Sequence, residues 1–177
     1  MAEHAAFLRG MNVGGHRITN EDLRTHLTAM GLKEVATFRA SGNVVFDGGS
    51  DDPLKMQKKI EQGLKQALGY GVPTFVRNRN EVLELAEADP IPQGKSKGKL
   101  QVALLAKAPT TSARKKVLEL DSEQDRLSFG KRELYWLPEG PMSDSELDWK
   151  TIEQALGVMT VRTKGTIEQI AAKYFAA

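Results

Sequence analysis

The chain has 177 residues, enough for one ordinary domain or two small ones that share a core. Hydrophobic residues make up 40% and charged residues 27%, which excludes disorder, while a formal charge of +2 lacks the strong basic excess of a dedicated nucleic-acid binder. Cysteine is absent, which excludes disulfides, thiol nucleophiles and thiolate metal sites together.

The first predicted element is a buried strand at Ala5-Ala6-Phe7-Leu8, short, apolar and followed at once by glycine-rich sequence. Thr19 then opens a helix, because its hydroxyl can accept from an orphan backbone N–H and Asp22 three residues on completes a capping box. Leu23, Leu27 and Met30 give that helix one apolar face, and Gly31 ends it. Residues 34–39 read as a second strand, Ser41-Gly42 as a turn, and Asn43-Val44-Val45-Phe46 as the third strand of a hairpin. Asp52-Pro53 places an acceptor at N-cap and proline at N1, and Met56, Ile60, Leu64 and Leu68 keep helical spacing to Gly69. Residues 72–76 return as a strand, and residues 80–88 form a short linking helix.

Residues 89–99 are proline-, glycine- and lysine-rich, which predicts a flexible basic linker that trypsin should cut first. The order then recurs. Residues 100–105 read as a strand, and Thr111 or Ser112 caps a helix carrying Val117 and Leu120. Residues 126–129 and 132–137 form a hairpin through a two-residue turn, Gly130-Lys131, with glycine first. Leu147, Ile152 and Leu156 mark a helix, residues 158–162 a last strand, and Thr166 with Gln169 the capping pattern of a closing helix.

Strand, helix, strand, strand, helix, strand is the split βαβ order. The expected fold is therefore α+β: two tandem ferredoxin-like βαββαβ subdomains, residues 1–88 and 100–177 around the linker 89–99, with antiparallel sheets, helices on one face and an added C-terminal helix. The two halves share element order, and no residue-level repeat is evident between them.

In such a unit the loop after strand one, the hairpin between strands two and three and the start of the first helix lie at one end of the sheet. This brings residues 9–17 toward residues 39–43. Arg9 and Arg17 offer planar donors for a phosphate or carboxylate. Gly14 and Gly15 let backbone approach a ligand, Asn12, Ser41 and Asn43 can orient it, and the helix start adds partial positive charge. Arg162 could join from the second unit. Turn chemistry accounts for each of these residues taken singly, so the case rests on their convergence.

Other candidates are weaker. Gly94-Lys95-Ser96 imitates a phosphate-binding loop, but Asp89 stands where its first glycine belongs. His16 has no visible partner, and Tyr135, Trp136, Phe7 and Phe46 lack the consensus of an RNA-stacking surface. The acidic run 144–148 reads as a helix start. The three histidines fit no zinc pattern, so no metal or other cofactor is called for. No nucleophile–base pair or paired carboxylates point to an enzyme. No secretory signal or membrane span is visible, which places the expected location in the cytoplasm. The expected partner is a small anionic ligand. A nucleic-acid-binding module and a protein-interaction scaffold are the rival readings, and the sequence does not set an oligomeric state.

Two long motifs carry a resemblance: Leu8-Arg9-Gly10-Met11-Asn12-Val13-Gly14-Gly15 and Thr37-Phe38-Arg39-Ala40-Ser41-Gly42-Asn43-Val44-Val45-Phe46. The chain resembles a bacterial family of uncharacterised proteins, domain-of-unknown-function family 1697, and blocks at 134–140 and 155–162 look like its later ones. The resemblance implies tandem α+β subdomains and no established activity. This chain departs from the family pattern at Thr163-Lys164-Gly165, where Asn-Trp-Asn is usual, and at Ser145-Glu146-Leu147, where the family carries Ser-Lys-Leu.

Overall fold

The structure is a computed structural model that describes residues 2–12, 14–39 and 42–176. The chain divides into two compact units, Met1–Leu85 with Gln169–Ala177, and Ala86–Glu168. The residues expected to form a free linker thus fall within the second unit, and the last nine residues group with the first.

In the first unit β1 (His4–Leu8), α1 (Asn20–Ala29), β2 (Lys33–Thr37), β3 (Asn43–Asp47), α2 (Pro53–Leu68), β4 (Thr74–Asn78) and α3 (Arg79–Glu87) follow in order. The four strands pair antiparallel in the order β2-β3-β1-β4, the ferredoxin-like arrangement. The local chemistry explains each boundary. Thr19 and Asp22 form the expected reciprocal capping box, Asp52 caps α2 ahead of Pro53, and Gly69 ends α2 at φ 82°, where any other residue is strained. Glu34 takes φ 51° where the β2–β3 register shifts, so a bulge interrupts the edge strand. Ala6, Leu8, Val44, Phe46 and Val76 on one face of the sheet pack with Leu23 and Leu27 of α1 and Met56, Ile60 and Leu64 of α2. Ala5, Phe7, Val45 and Phe75 on the other face are buried as well.

The second unit repeats the plan with β5 (Gln101–Leu105), α4 (Thr111–Leu118), β6 (Asp125–Phe129), β7 (Glu133–Pro138), α5 (Trp149–Leu156) and β8 (Met159–Thr163), in sheet order β6-β7-β5-β8, and α6 (Lys164–Ile170) follows, its last two residues grouping with the first unit. Its core gathers Ala103, Leu105, Leu134 and Trp136 against Val117 and Ile152.

The repetition extends to individual residues. Val76-Arg77-Asn78-Arg79 ends β4 and Val161-Arg162-Thr163-Lys164 ends β8, with Arg77 opposite Ala5 and Arg162 opposite Val102. Each arginine donates Nη1 to the carbonyl of the valine before it at 3.0 Å. The next side chain, Asn78 Oδ1 or Thr163 Oγ1, accepts from the N–H three residues on. The Arg79 and Lys164 amides then donate to Glu3 and Leu100, the residues just before β1 and β5. A residue-level repeat therefore exists at the fourth strand of each unit, where the sequence reading found none.

Several local expectations are corrected. The 89–99 segment is not free: Ser96 Oγ donates to Pro138 O at 2.7 Å, Lys97 N to Glu139 O at 2.9 Å, and Arg126 Nη1 to Pro92 O at 2.9 Å, while Ile91 is buried. Composition measured its polarity, but its bonds run to residues some forty positions away. Thr110 rather than Thr111 or Ser112 caps α4, accepting from Ala113 N. The β6–β7 turn runs over Lys131 and Arg132, closed by Gly130 N–H to Glu133 O. Helix α6 begins at Lys164, two residues before Thr166, because Thr163 supplies the accepting hydroxyl. Asp148 caps α5, as the acidic run implied.

Candidate functional site

The β1–α1 loop, the β2–β3 hairpin and the α2–β4 loop meet at the C-terminal end of β1. Leu8 N donates to Gly42 O at 2.9 Å, Arg9 N to Pro73 O at 3.0 Å, and Asn20 Nδ2 to Arg39 O at 3.1 Å. Gly10, Gly14, Gly15 and Gly42 all take left-handed φ here. A side chain at Gly42 would also come within 2.9 Å of the Leu8 carbonyl, so this glycine is needed on two counts. At Gly14 and Gly15 nothing lies within 4 Å of where a Cβ would stand, so the loop backbone is open to approach.

The expected site residues divide into structural and available ones. Asn12 Oδ1 accepts from Ile18 N at 2.8 Å and closes the loop on itself. Asn43 is buried and donates Nδ2 to Phe38 O at 3.2 Å, holding the hairpin. Asn43 is thus buried in the hairpin, whereas Asn12 is exposed with its Oδ1 on Ile18 N. Arg9 is half-buried, whereas Gly14, Gly15 and Arg17 are exposed. Ser41 lies outside the described residues. Arg162 belongs to the second unit, where it donates to Thr160 Oγ1 at 2.7 Å and to Val161 O, and burial pushes its pKa down to about 10. The start of α1 contributes less positive potential than expected: its capping box occupies the Asp22 N–H, and Glu21 and Asp22 put carboxylates in the first turn.

Three residues at this end were not singled out in the sequence. Tyr70 donates its hydroxyl to Met11 O at 3.1 Å and stacks on His16, ring centroids 3.8 Å apart, which braces the loop from below. Asn20 ties the helix start to the hairpin. Arg39 holds a left-handed φ of 59°, sets its guanidinium 5.2 Å from the Phe38 ring centre, and bonds Gln169. The signal was in the topology: the loop after α2 opens at the same end as the loop after β1, so Tyr70 was within reach of the same argument. Among the described residues, no group of three His, Asp or Glu could hold a metal ion.

Five aromatic rings of the strands are enclosed. Phe7, Phe46 and Phe75 are buried, as are Tyr135 and Trp136, so none offers an open face to a base. No described helix is long and apolar enough to cross a membrane.

Residues 1–135 match the family model described as "Protein of unknown function (DUF1697)". No curated protein matches the chain. Among solved structures, a conserved bacterial protein, SP0830 from Streptococcus pneumoniae, superposes with a TM-score of 0.72 at 20% identity, covering 97% of each chain. At that identity the likeness concerns the fold.

Proposed function

Because the chain belongs to the DUF1697 family of proteins of unknown function, we propose its role from the geometry: the N-terminal unit binds a small phosphate- or carboxylate-bearing ligand at the C-terminal end of β1. The observation that carries this reading is the open left-handed turn Gly14-Gly15 next to exposed Arg17, on a loop braced by Tyr70 and Asn12. An anion there gains backbone N–H donors and the planar fork of Arg17, with Arg9 beside the loop's root. Bracing matters because a pre-ordered loop spends less binding energy on its own immobilisation.

The test is calorimetric titration with inorganic phosphate, pyrophosphate and citrate at low salt. Arg17→Ala should weaken binding by about 1.5–3 kcal/mol, the range for a charge-assisted hydrogen bond, which is roughly 10- to 150-fold in Kd. Its melting temperature should stay near the wild-type value, since Arg17 is exposed. Equal binding by wild type and Arg17→Ala would overturn the assignment.

A further inference from the structure

The second unit carries a cleft of about 610 Å³, within the roughly 300–1,000 Å³ that small-molecule sites occupy. Three segments form it: residues 122–125 entering β6, residues 138–141 leaving β7, and residues 144–148 ahead of α5. Strand register sets the first two side by side, since Asp125 pairs with Pro138 and Glu139 N donates to Gln124 O at 2.8 Å. Ser145 ties on the third. Its Oγ donates to Asp125 Oδ1 at 2.6 Å and accepts from Leu147 N at 3.2 Å. The walls are therefore held by the fold itself.

The lining carries one sign of charge. Asp125, Glu139, Asp144, Glu146 and Asp148 bring carboxylates, and no lysine, arginine or histidine lines the cleft among the described residues. Asp148 is spent as the cap of α5, accepting from Thr151 N and Thr151 Oγ1, and stands in the field of Lys150. The side chains of Glu139, Asp144 and Glu146 are exposed and pair with no cation among the described residues. Exposed acids alone mark a solvated surface. Asp125 does not fit that description. It is only 6% exposed, and its Oδ1 takes both the Trp136 indole N–H and the Ser145 hydroxyl. Its Oδ2 has no hydrogen-bond partner among the described residues, yet this oxygen is not sealed from solvent, and Asp125 lines the cleft. A carboxylate oxygen can accept two hydrogen bonds, and leaving one unmet in a largely buried group is costly.

The spread of the charges narrows the ligand class. Among the described residues no three acidic groups converge closely enough to hold a metal ion. The carboxylates are instead distributed over a cleft whose lining also includes apolar Leu120, Pro138, Pro141 and Leu147. An ammonium group has three donors and no acceptor, which suits oxygens that carry only lone pairs. Methylene groups between successive ammoniums suit the apolar lining. We propose that this cleft binds a linear aliphatic polyamine, one ammonium on Asp125 Oδ2 and the others toward Glu139, Asp144 and Glu146.

The test titrates the full chain with spermidine, butylammonium and Mg²⁺ at equal, low ionic strength. Calorimetry reads binding, and the Trp136 indole N–H resonance reads its place, because that N–H shares the Asp125 carboxylate. Spermidine should saturate and shift the resonance, with butylammonium and Mg²⁺ at least about tenfold weaker, a difference of about 1.4 kcal/mol. Asp125→Asn keeps the size and an acceptor for Trp136 but loses the charge, and should weaken spermidine at least about fivefold. The double variant Asp144→Asn, Glu146→Gln should weaken it at least about threefold, with an unchanged urea midpoint because both residues are exposed. Glu21→Gln removes an exposed carboxylate from α1 of the first unit and should leave spermidine binding unchanged. Four results would each overturn the proposal: no saturable heat, an unmoved Trp136 resonance, butylammonium or Mg²⁺ matching spermidine, or Glu21→Gln costing as much as the cleft variants.

Discussion

Gly98 gives a direct test of whether the 89–99 segment is a tether or part of the second unit. A methyl group there would stand 2.1 Å from the Pro138 carbonyl oxygen and 2.8 Å from that of Gly140, against a floor near 3.0 Å for real Cβ contacts. The obstruction is steric rather than conformational, since Gly98 does not use a left-handed φ. Both contacts are backbone, so Gly98→Ala must push the segment from the end of β7 by about 0.9 Å, the shortfall of the closer contact. That displacement stretches the Ser96 Oγ–Pro138 O bond from 2.7 Å and the Lys97 N–Glu139 O bond from 2.9 Å beyond useful length. Two such bonds contribute about 0.5–1.5 kcal/mol each, so the substitution should cost about 1–3 kcal/mol. Urea denaturation followed by tryptophan fluorescence measures the loss. Limited trypsin digestion reads the local effect: cleavage at Lys95, Lys97 and Lys99 should be slow in the wild type and fast in the variant. An unchanged urea midpoint together with unchanged cleavage would refute the reasoning.

Two further outcomes concern buried Asp125 and half-buried Glu61. Asp125 Oδ1 accepts from the Trp136 indole N–H at 2.8 Å and from Ser145 Oγ at 2.6 Å, so Asp125→Ala should cost about 1–3 kcal/mol in chemical denaturation by stranding a buried donor, and Asp125→Asn should recover most of it. Glu61 on α2 has its pKa raised by burial, with the backbone of Thr74 pulling the other way. The folded state therefore holds this proton more tightly than the unfolded chain. Its contribution to stability is fully present below the ordinary glutamate value of 4.5 and is lost as pH rises through the raised one. Paired denaturation of wild type and Glu61→Gln across that window should show the difference moving in favour of Gln as pH rises, and a pH-independent difference would contradict it.

Features decided within a few residues were legible in the chain. The Thr19–Asp22 box, Asp52 before Pro53 and left-handed Gly69 each act over one helical turn, and each stands where spacing put it. Ambiguity began where equivalent groups stood side by side. Thr110, Thr111 and Ser112 all carry a suitable hydroxyl, and the position of the first helical turn selects Thr110. The repeat at Arg77 and Arg162 escaped notice because Asn78 and Thr163, or Arg79 and Lys164, are different residues doing the same bonding. Only the strand register lines them up.

For the candidate site the sequence by itself determined which segments gather: alternating strands and helices in a split βαβ order leave few topologies, and these send the loop after β1 and the β2–β3 hairpin to one end. What each side chain does there was decided by tertiary structure alone. Asn43 has the right chemistry for a ligand, yet it is buried with its amide on Phe38 O, and the Oδ1 of exposed Asn12 is taken by Ile18 N. The linker lysines have the composition of a mobile tether, yet Pro138 and Glu139 hold their neighbours in place. A hydrogen bond reaches about 3 Å, and whether a donor is spent or available depends on which atoms lie within that radius. Partners many residues distant in the chain are set by strand pairing, which is why the gathering of these groups could be read in advance and their availability could not.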